Sequence, residues 1–142
     1  MCTGKVYYHL MHARRARKVD DVVLGRVEEL APFPHHLVAD WVRQFPGAEV
    51  CWLQEEPKNL GFWQFVQPRI QTALSTYDVG GGGGGGGGSS INGDDDEHRR
   101  DLSLTSSPRV RYIGRPAAQS PATGSVVKHL HEMKVLTDAA FA

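Results

Sequence analysis

Glu55 and Glu56, within Gln54-Glu55-Glu56-Pro57-Lys58-Asn59, form the run in this 142-residue chain most suggestive of chemistry. Two carboxylates can divide acid and base work when both face one substrate. Neighbours in an extended segment point to opposite faces, so this pair is no ready-made dyad. They read instead as interface or ion-pair carboxylates near a helix start. Metal binding is the next chemistry to weigh, because the chain holds 7 histidines. His35-His36 opens one predicted helix, and His129 and His131 flank Leu130 on another. Neither pair has the i, i+4 spacing of a helical zinc site, and no cysteine is near. Cys2 and Cys51 are too widely spaced for a CxxC motif or a disulfide framework. As a small apolar residue in a predicted strand, Cys51 is no obvious nucleophile. Gly80 to Gly88 is a homopolymer followed by Ser89-Ser90, lacking the fixed glycines and Lys-Ser/Thr of a phosphate loop. Gly4-Lys5 fails as one too, since Val6 stands where Ser or Thr is required. There is no Gly-x-Ser-x-Gly elbow. No catalytic constellation is complete.

Composition narrows the classes further. The chain has 16 basic and 16 acidic side chains and a formal charge of zero. The biased stretch 79–107 sets five acids against Arg99 and Arg100, so the remainder is only mildly basic. That is too little for a surface built on nucleic-acid phosphates. Arg14, Arg15, Arg17 and Lys18 read as the solvated last turn of a helix, where the dipole favours cations. No segment approaches the ~20 apolar residues of a membrane helix. Met1 to Lys5 shows no charged-then-apolar leader, so nothing here points to secretion.

Helix and strand patterns alternate along the chain. Val6, Tyr7, Leu10, Met11 and Ala13 predict a first helix, which Asp20-Asp21 breaks. Val22 to Val27 predicts a buried strand, and Pro32-Phe33-Pro34 a turn. Leu37, Val38, Trp41, Val42 and Phe45 stripe a second helix, ended by Pro46-Gly47. Val50 to Leu53 predicts a strand. Phe62, Phe65, Val66, Ile70, Ala73 and Leu74 then stripe a third helix, with Pro68 starting a late turn or kinking it. Val110 to Ile113 predicts the last strand, and Val127, Leu130, Met133, Leu136, Ala140 and Phe141 the last helix. The alternation predicts an α/β fold of three layers, a mostly parallel sheet with flanking helices. Residues 1–78 form its first part, 79–107 a disordered glycine-rich acidic insertion, and 108–142 its last strand and helix.

Ligands and interfaces of such sheets gather at the carboxyl ends of the strands. Arg26 to Glu29, Glu55 to Asn59 and Gly114 to Pro116 each follow a predicted strand. They are expected side by side on one rim, with Arg26, Lys58 and Arg115 facing Glu28, Glu29, Glu55 and Glu56. The candidate site, an interface or anion-binding rim, is Arg26, Glu28, Glu55, Glu56, Lys58 and Arg115. None is assigned as a catalytic acid or base, a cofactor ligand or a metal ligand.

Five ordered motifs make a specific match. They are Cys2-Thr3-Gly4-Lys5-Val6-Tyr7-Tyr8, Arg26-Val27-Glu28-Glu29-Leu30-Ala31-Pro32-Phe33-Pro34, Gln54-Glu55-Glu56-Pro57-Lys58-Asn59-Leu60-Gly61, Tyr112-Ile113-Gly114-Arg115-Pro116 and Ser120-Pro121-Ala122-Thr123-Gly124. Together they resemble the C-terminal domain of the 2-oxoglutarate dehydrogenase first component, everywhere except the glycine-rich stretch. The resemblance implies a transketolase C-terminal-domain-like fold and a role in the tricarboxylic acid cycle. It implies thiamine diphosphate and Mg2+, which carry the decarboxylation chemistry while protein orients them and excludes water.

The family holds that cofactor through Gly-Asp-Gly and a later asparagine. This chain has only Gly93-Asp94-Asp95, and Asn92 is its last asparagine. The cofactor is therefore expected on domains absent from this chain, which by itself is expected to be inactive. Implied partners are those domains, a homodimer mate and a lipoyl-bearing succinyltransferase core, with no nucleic acid and no membrane. The implied location is the mitochondrial matrix. In the family a β-strand runs into the Cys-Thr-Gly-Lys segment, and here Met1 takes its place. The fold thus reads as lacking its first strand and is expected to be marginal or molten alone. Two alternatives stand beside this reading: the paralogue acting on 2-oxoadipate, and a free-standing regulatory or adaptor module binding an anionic nucleotide at the rim.

Overall fold

The computed structural model describes residues 1–78 and 109–142, so the insertion expected at 79–107 lies outside the described residues. In chain order the elements are α1 (Val6–Arg17), α2 (His35–Arg43), β1 (Cys51–Pro57), α3 (Trp63–Asp78), β2 (Arg111–Arg115) and α4 (Val126–Ala140). β1 and β2 pair in parallel, with Trp52 opposite Tyr112 and Leu53 opposite Ile113. The α/β architecture expected from the alternation is the one observed.

β1 shows why. Val50-Cys51-Trp52-Leu53 is apolar without alternation, as a strand covered on both faces must be. Val50 and Trp52 join a cluster with Val38 and Ala39 of α2 and Val66, Ile70 and Ala73 of α3. Leu53 joins the opposite cluster with Val6 and Leu10 of α1, Ile113 of β2 and Leu136 of α4. Two helices therefore cover each face, and the sheet is the middle layer. Trp52, Val66 and Ile70 are completely buried.

The helix ends follow local chemistry. α1 stops because Lys18 turns left-handed, at φ 55°, and its N–H returns to Arg15 O. The stop thus precedes Asp20-Asp21 rather than depending on them. α4 starts at Ser125, whose hydroxyl accepts from Lys128 N at 3.4 Å. α3 runs through Pro68 instead of starting a late turn there.

Three sequence expectations are corrected. Val22 to Val27 is not a strand; it makes one parallel bridge, Arg26 to Cys2. A strand exists only where a neighbouring backbone pairs with it, and among the described residues that neighbour is Met1-Cys2. Cys2 N donates to Gly25 O and Val27 N to Cys2 O, both at 3.0 Å. On its other side Met1 pairs with β1, donating to Cys51 O at 2.6 Å and accepting from Leu53 N at 2.8 Å. Gly25 passes so close to α2 that a Cβ there would stand 2.7 Å from the Trp41 ring.

The second correction concerns β1, which reaches Pro57 and so contains Glu55 and Glu56 rather than preceding them. The third concerns helix faces. Leu37, Phe62, Val127 and Leu130 were expected inside, yet all are exposed, Val127 to 78%. Periodicity reports an apolar stripe, whereas burial requires another element to lie on it.

Candidate functional site

Gln54 organises the carboxyl end of β1. It is the buried polar residue of the core. Its Oε1 accepts from the Trp52 indole at 3.1 Å and from Trp63 N at 2.8 Å, which caps the start of α3. Its Nε2 faces three carbonyls, Leu60 O at 2.7 Å, Pro57 O at 3.1 Å and Glu56 O at 3.3 Å. One amide thereby holds the loop 57–61 against both the strand and the next helix. Gly61 completes the turn at φ 67°, where a Cβ would stand 2.9 Å from Gln54 Nε2.

That loop positions the first group of polar side chains. Lys58 N donates to Arg115 O at 3.1 Å, tying the ends of β1 and β2 together. Asn59 and Ala118 exchange two bonds, at 3.0 and 2.9 Å, which fixes the chain after β2. Lys58 Nζ stands 5.6 Å from the centre of the Tyr112 ring. The Tyr112 hydroxyl lies within donating distance of Arg115 O (2.9 Å) and Glu56 O (3.1 Å). Burial pushes its pKa up to about 12, so it keeps the proton it shares.

Beyond β2 a pocket of about 240 Å³ is lined by Glu55, Glu56, Arg115, Thr123, His129 and Glu132. Arg115 and Glu132 are its least exposed charges, with side chains 12% and 19% accessible. Their atoms approach to 3.1 Å, although Arg115 Nε is not aligned for a hydrogen bond. Arg115 also donates from Nη1 to Pro121 O at 3.2 Å, and Thr123 Oγ1 donates to Glu132 at 2.5 Å. The Thr123 hydroxyl, then the Arg115 and Lys128 cations, hold the Glu132 carboxyl below its ordinary range. Glu55 Oε1 is buried with no hydrogen-bond partner, while Oε2 lies 3.9 Å from Lys5 Nζ. Three carboxylates against one well-placed guanidinium make this a poor receptor for an anionic nucleotide.

A carboxylate whose folded pKa is depressed contributes stability above its unfolded pKa and loses it as pH falls through the folded value. Glu132→Gln is therefore expected to flatten the acid side of a Tm-against-pH profile, between roughly pH 5 and 3. Superimposable profiles for the two proteins would remove Glu132 as the source.

Lys5 links this pocket to a second group. Glu28 accepts from Gly4 N at 3.1 Å and Thr3 Oγ1 at 3.2 Å, just ahead of α1. Arg26 Nε donates to Glu28 at 2.9 Å, and its guanidinium lies over both Tyr7 and Tyr8, 4.9 and 5.3 Å from the ring centres. The Gly4 amide, then Arg26, lowers the Glu28 pKa.

Glu55, Glu56, Lys58 and Arg115 lie at the carboxyl ends of β1 and β2, whereas Arg26 and Glu28 follow a segment that is not a strand. Of the expected pairings, Arg26 with Glu28 is present. Glu55 approaches Lys5, and Arg115 meets Glu132 instead of Glu55 or Glu56. Glu132, Thr123, Tyr112 and Gln54 were not among the candidates. Glu132 lies four residues after Lys128 on α4, a spacing that signals a helix-face pair and nothing about Arg115. Among the described residues no three of His, Cys, Asp and Glu converge to hold a metal ion. No described helix is long and apolar enough to cross a membrane.

The profile of the family described as "2-oxoglutarate dehydrogenase C-terminal" matches residues 1–141. Proteins named 2-oxoglutarate dehydrogenase E1 component from Brucella anthropi, Brucella ovis and Brucella canis are each 39% identical to this chain over 140 residues. The match takes in 99% of this chain and 11% of each of those proteins.

Proposed function

The chain belongs to the 2-oxoglutarate dehydrogenase C-terminal family, and from that premise we propose that it is the C-terminal docking part of an enzyme that oxidatively decarboxylates 2-oxoglutarate and passes succinyl to a lipoyl arm. The observation that carries this reading is the identity of 39% sustained over 140 residues with proteins of that name. The chain spans 11% of their length, so the reaction is assigned to a larger assembly.

Thiamine diphosphate with Mg2+ supplies the electron sink for loss of carbon dioxide in such an enzyme. The described residues do not fit that group. Of the rim-pocket carboxylates, Glu132 already faces Arg115 and Lys128 and Glu55 faces Lys5, and among the described residues no metal-ligand set converges. No step is routed through these residues; their task is to bind and orient. Arg26, Glu28, Glu55, Glu56, Lys58 and Arg115 are the proposed contact rim toward the cofactor-bearing domains and the dimer mate. The apolar surface of α4, with Val126 at 74% and Leu130 at 63% accessible, supports contact with further protein. A mitochondrial matrix location is part of the proposal, supported by the homopolymeric Gly80 to Gly88 run, which is commoner in eukaryotic genes.

The test is a chimera in which this chain replaces the matching C-terminal segment of the Brucella anthropi protein. Decarboxylation of 2-oxoglutarate is expected to be retained, and to be absent from the 142-residue chain alone given thiamine diphosphate and Mg2+. A folded, cofactor-loaded chimera that turns over 2-oxoadipate but not 2-oxoglutarate would overturn the assignment. So would turnover by the chain alone.

A further inference from the structure

The first two turns of α4 carry an apolar face that no described element covers: Val126, Val127 and Leu130 are all exposed. Residues 126, 129, 130 and 133 share one side of a helix, at the i, i+3, i+4, i+7 spacing. Two of them, His129 and Met133, line the rim pocket. The apolar face and the pocket are therefore one surface, apolar where α4 begins and polar where it meets the end of β1.

Charge is unevenly matched at the polar end. Arg115 is met by Glu132 at 3.1 Å, and Lys128 approaches the same carboxylate at 4.0 Å. Glu55 has a weaker partner, the exposed Lys5 ammonium at 3.9 Å. A long contact to an exposed lysine contributes little. The second oxygen of Glu55, Oε1, is buried and accepts no hydrogen bond among the described residues. A buried carboxylate oxygen without a donor is unfavourable, and a cationic donor relieves it more than a neutral one. The last torsion of a glutamate is soft, so either oxygen can be turned toward the pocket.

We propose that this face of α4 docks a segment of a partner polypeptide, which lays apolar side chains on Val126, Val127 and Leu130 and places one basic side chain on the Glu55 carboxylate. The apolar face selects a polypeptide over a free amine or a metal cation, neither of which covers it. The under-matched carboxylate selects a basic residue over a neutral one, and an acidic residue there would meet Glu55 and Glu132 as like charges. Arginine suits the position best, because its five donors can serve both Glu55 oxygens at once. The inference rests on the docking role proposed above and names the chemistry of the partner that docks.

The test uses a fluorescein-labelled peptide, Leu-Leu-Ala-Arg-Leu-Leu, and a counterpart in which citrulline keeps the shape of arginine without its charge. Fluorescence anisotropy is read against the 142-residue chain. The arginine peptide is expected to bind about tenfold or more tightly than the citrulline one, and raised salt to narrow the gap. Glu55→Gln, a near-isosteric change, is expected to abolish the preference. Leu130→Ser, at an exposed position, is expected to weaken both peptides by about tenfold while leaving the preference intact. Absence of binding, equal affinity for the two peptides, or a preference that survives Glu55→Gln would overturn the proposal. Dimerisation of the chain in sedimentation, abolished by Leu130→Ser, would overturn it too, by giving the face to a second copy. The readout is binding, so it fails separately from the enzyme reading, which stands or falls on turnover of 2-oxoglutarate by the chimera.

Discussion

Gln54→Leu is expected to destabilise the domain by about 3–5 kcal/mol, the largest loss expected of any single polar substitution here. Leucine fills much of the same space, but it leaves the buried Trp52 indole N–H and the Trp63 amide without their acceptor. It also strands the Leu60 and Pro57 carbonyls that Gln54 Nε2 now satisfies. Each buried polar group left unpaired costs about 1–3 kcal/mol, only partly offset by the added apolar burial. For a domain of this size the loss corresponds to a fall in Tm of roughly 10–20 °C.

Gln54→Glu separates the two halves of the network. A carboxylate still accepts from both tryptophans, but it turns an oxygen toward three carbonyls. Burial and those oxygens raise the folded pKa of such a glutamate. The sign follows: the neutral acid, which can donate, is favoured in the fold. The variant should therefore lie closest to the parent at acid pH and fall behind as pH rises through the carboxylate range. Denaturation of the three proteins at several pH values checks both statements. A shift below about 3 °C for Gln54→Leu would show that the amide holds nothing.

Gly114→Ala is the second. The Tyr112 ring lies back across its own strand, and an alanine Cβ at position 114 would stand 2.1 Å from the Tyr112 hydroxyl oxygen and 2.3 Å from the carbon bearing it. No rotamer adjustment of a methyl group relieves such a contact, so Tyr112 must leave. With it go the bonds to Arg115 O and Glu56 O, the packing on Trp63 at 5.1 Å and the approach of Lys58. A cost of about 2–3 kcal/mol is expected. The clash has one partner, so the effect must be non-additive. In a Tyr112→Ala background, Gly114→Ala should cost well under 1 kcal/mol. A double-mutant cycle by chemical denaturation reads this directly, and additive effects would place the source of the loss elsewhere.

Both residues lie inside motifs that were conspicuous in the sequence, yet their roles were not legible there. Gln54 stood between Leu53 and Glu55 as the first polar residue after an apolar run, and read as the end of a strand. The strand continues to Pro57 because the amide meets donors and acceptors brought to it from Trp52, Leu60 and Trp63. Gly114 read as a strand terminator, whereas its missing side chain accommodates Tyr112. Arg115 was expected to meet Glu55 or Glu56. The nearer carboxylate, Glu132, arrives on α4 from seventeen residues further along, a distance no local pattern reports.

The sequence by itself determined the alternation of helix and strand and the parallel α/β architecture that follows from it. It also determined the family. Those properties rest on local periodicity, on the geometry of parallel sheets and on the order of motifs, all of which are written along one chain. Only the tertiary structure decided which apolar stripes are covered, which acid each base meets, and that Val22 to Val27 touches its neighbour at a single bridge. The reason is physical. Burial, ion pairing and strand pairing each need a second partner, and the identity of that partner is fixed by packing between residues far apart in the chain.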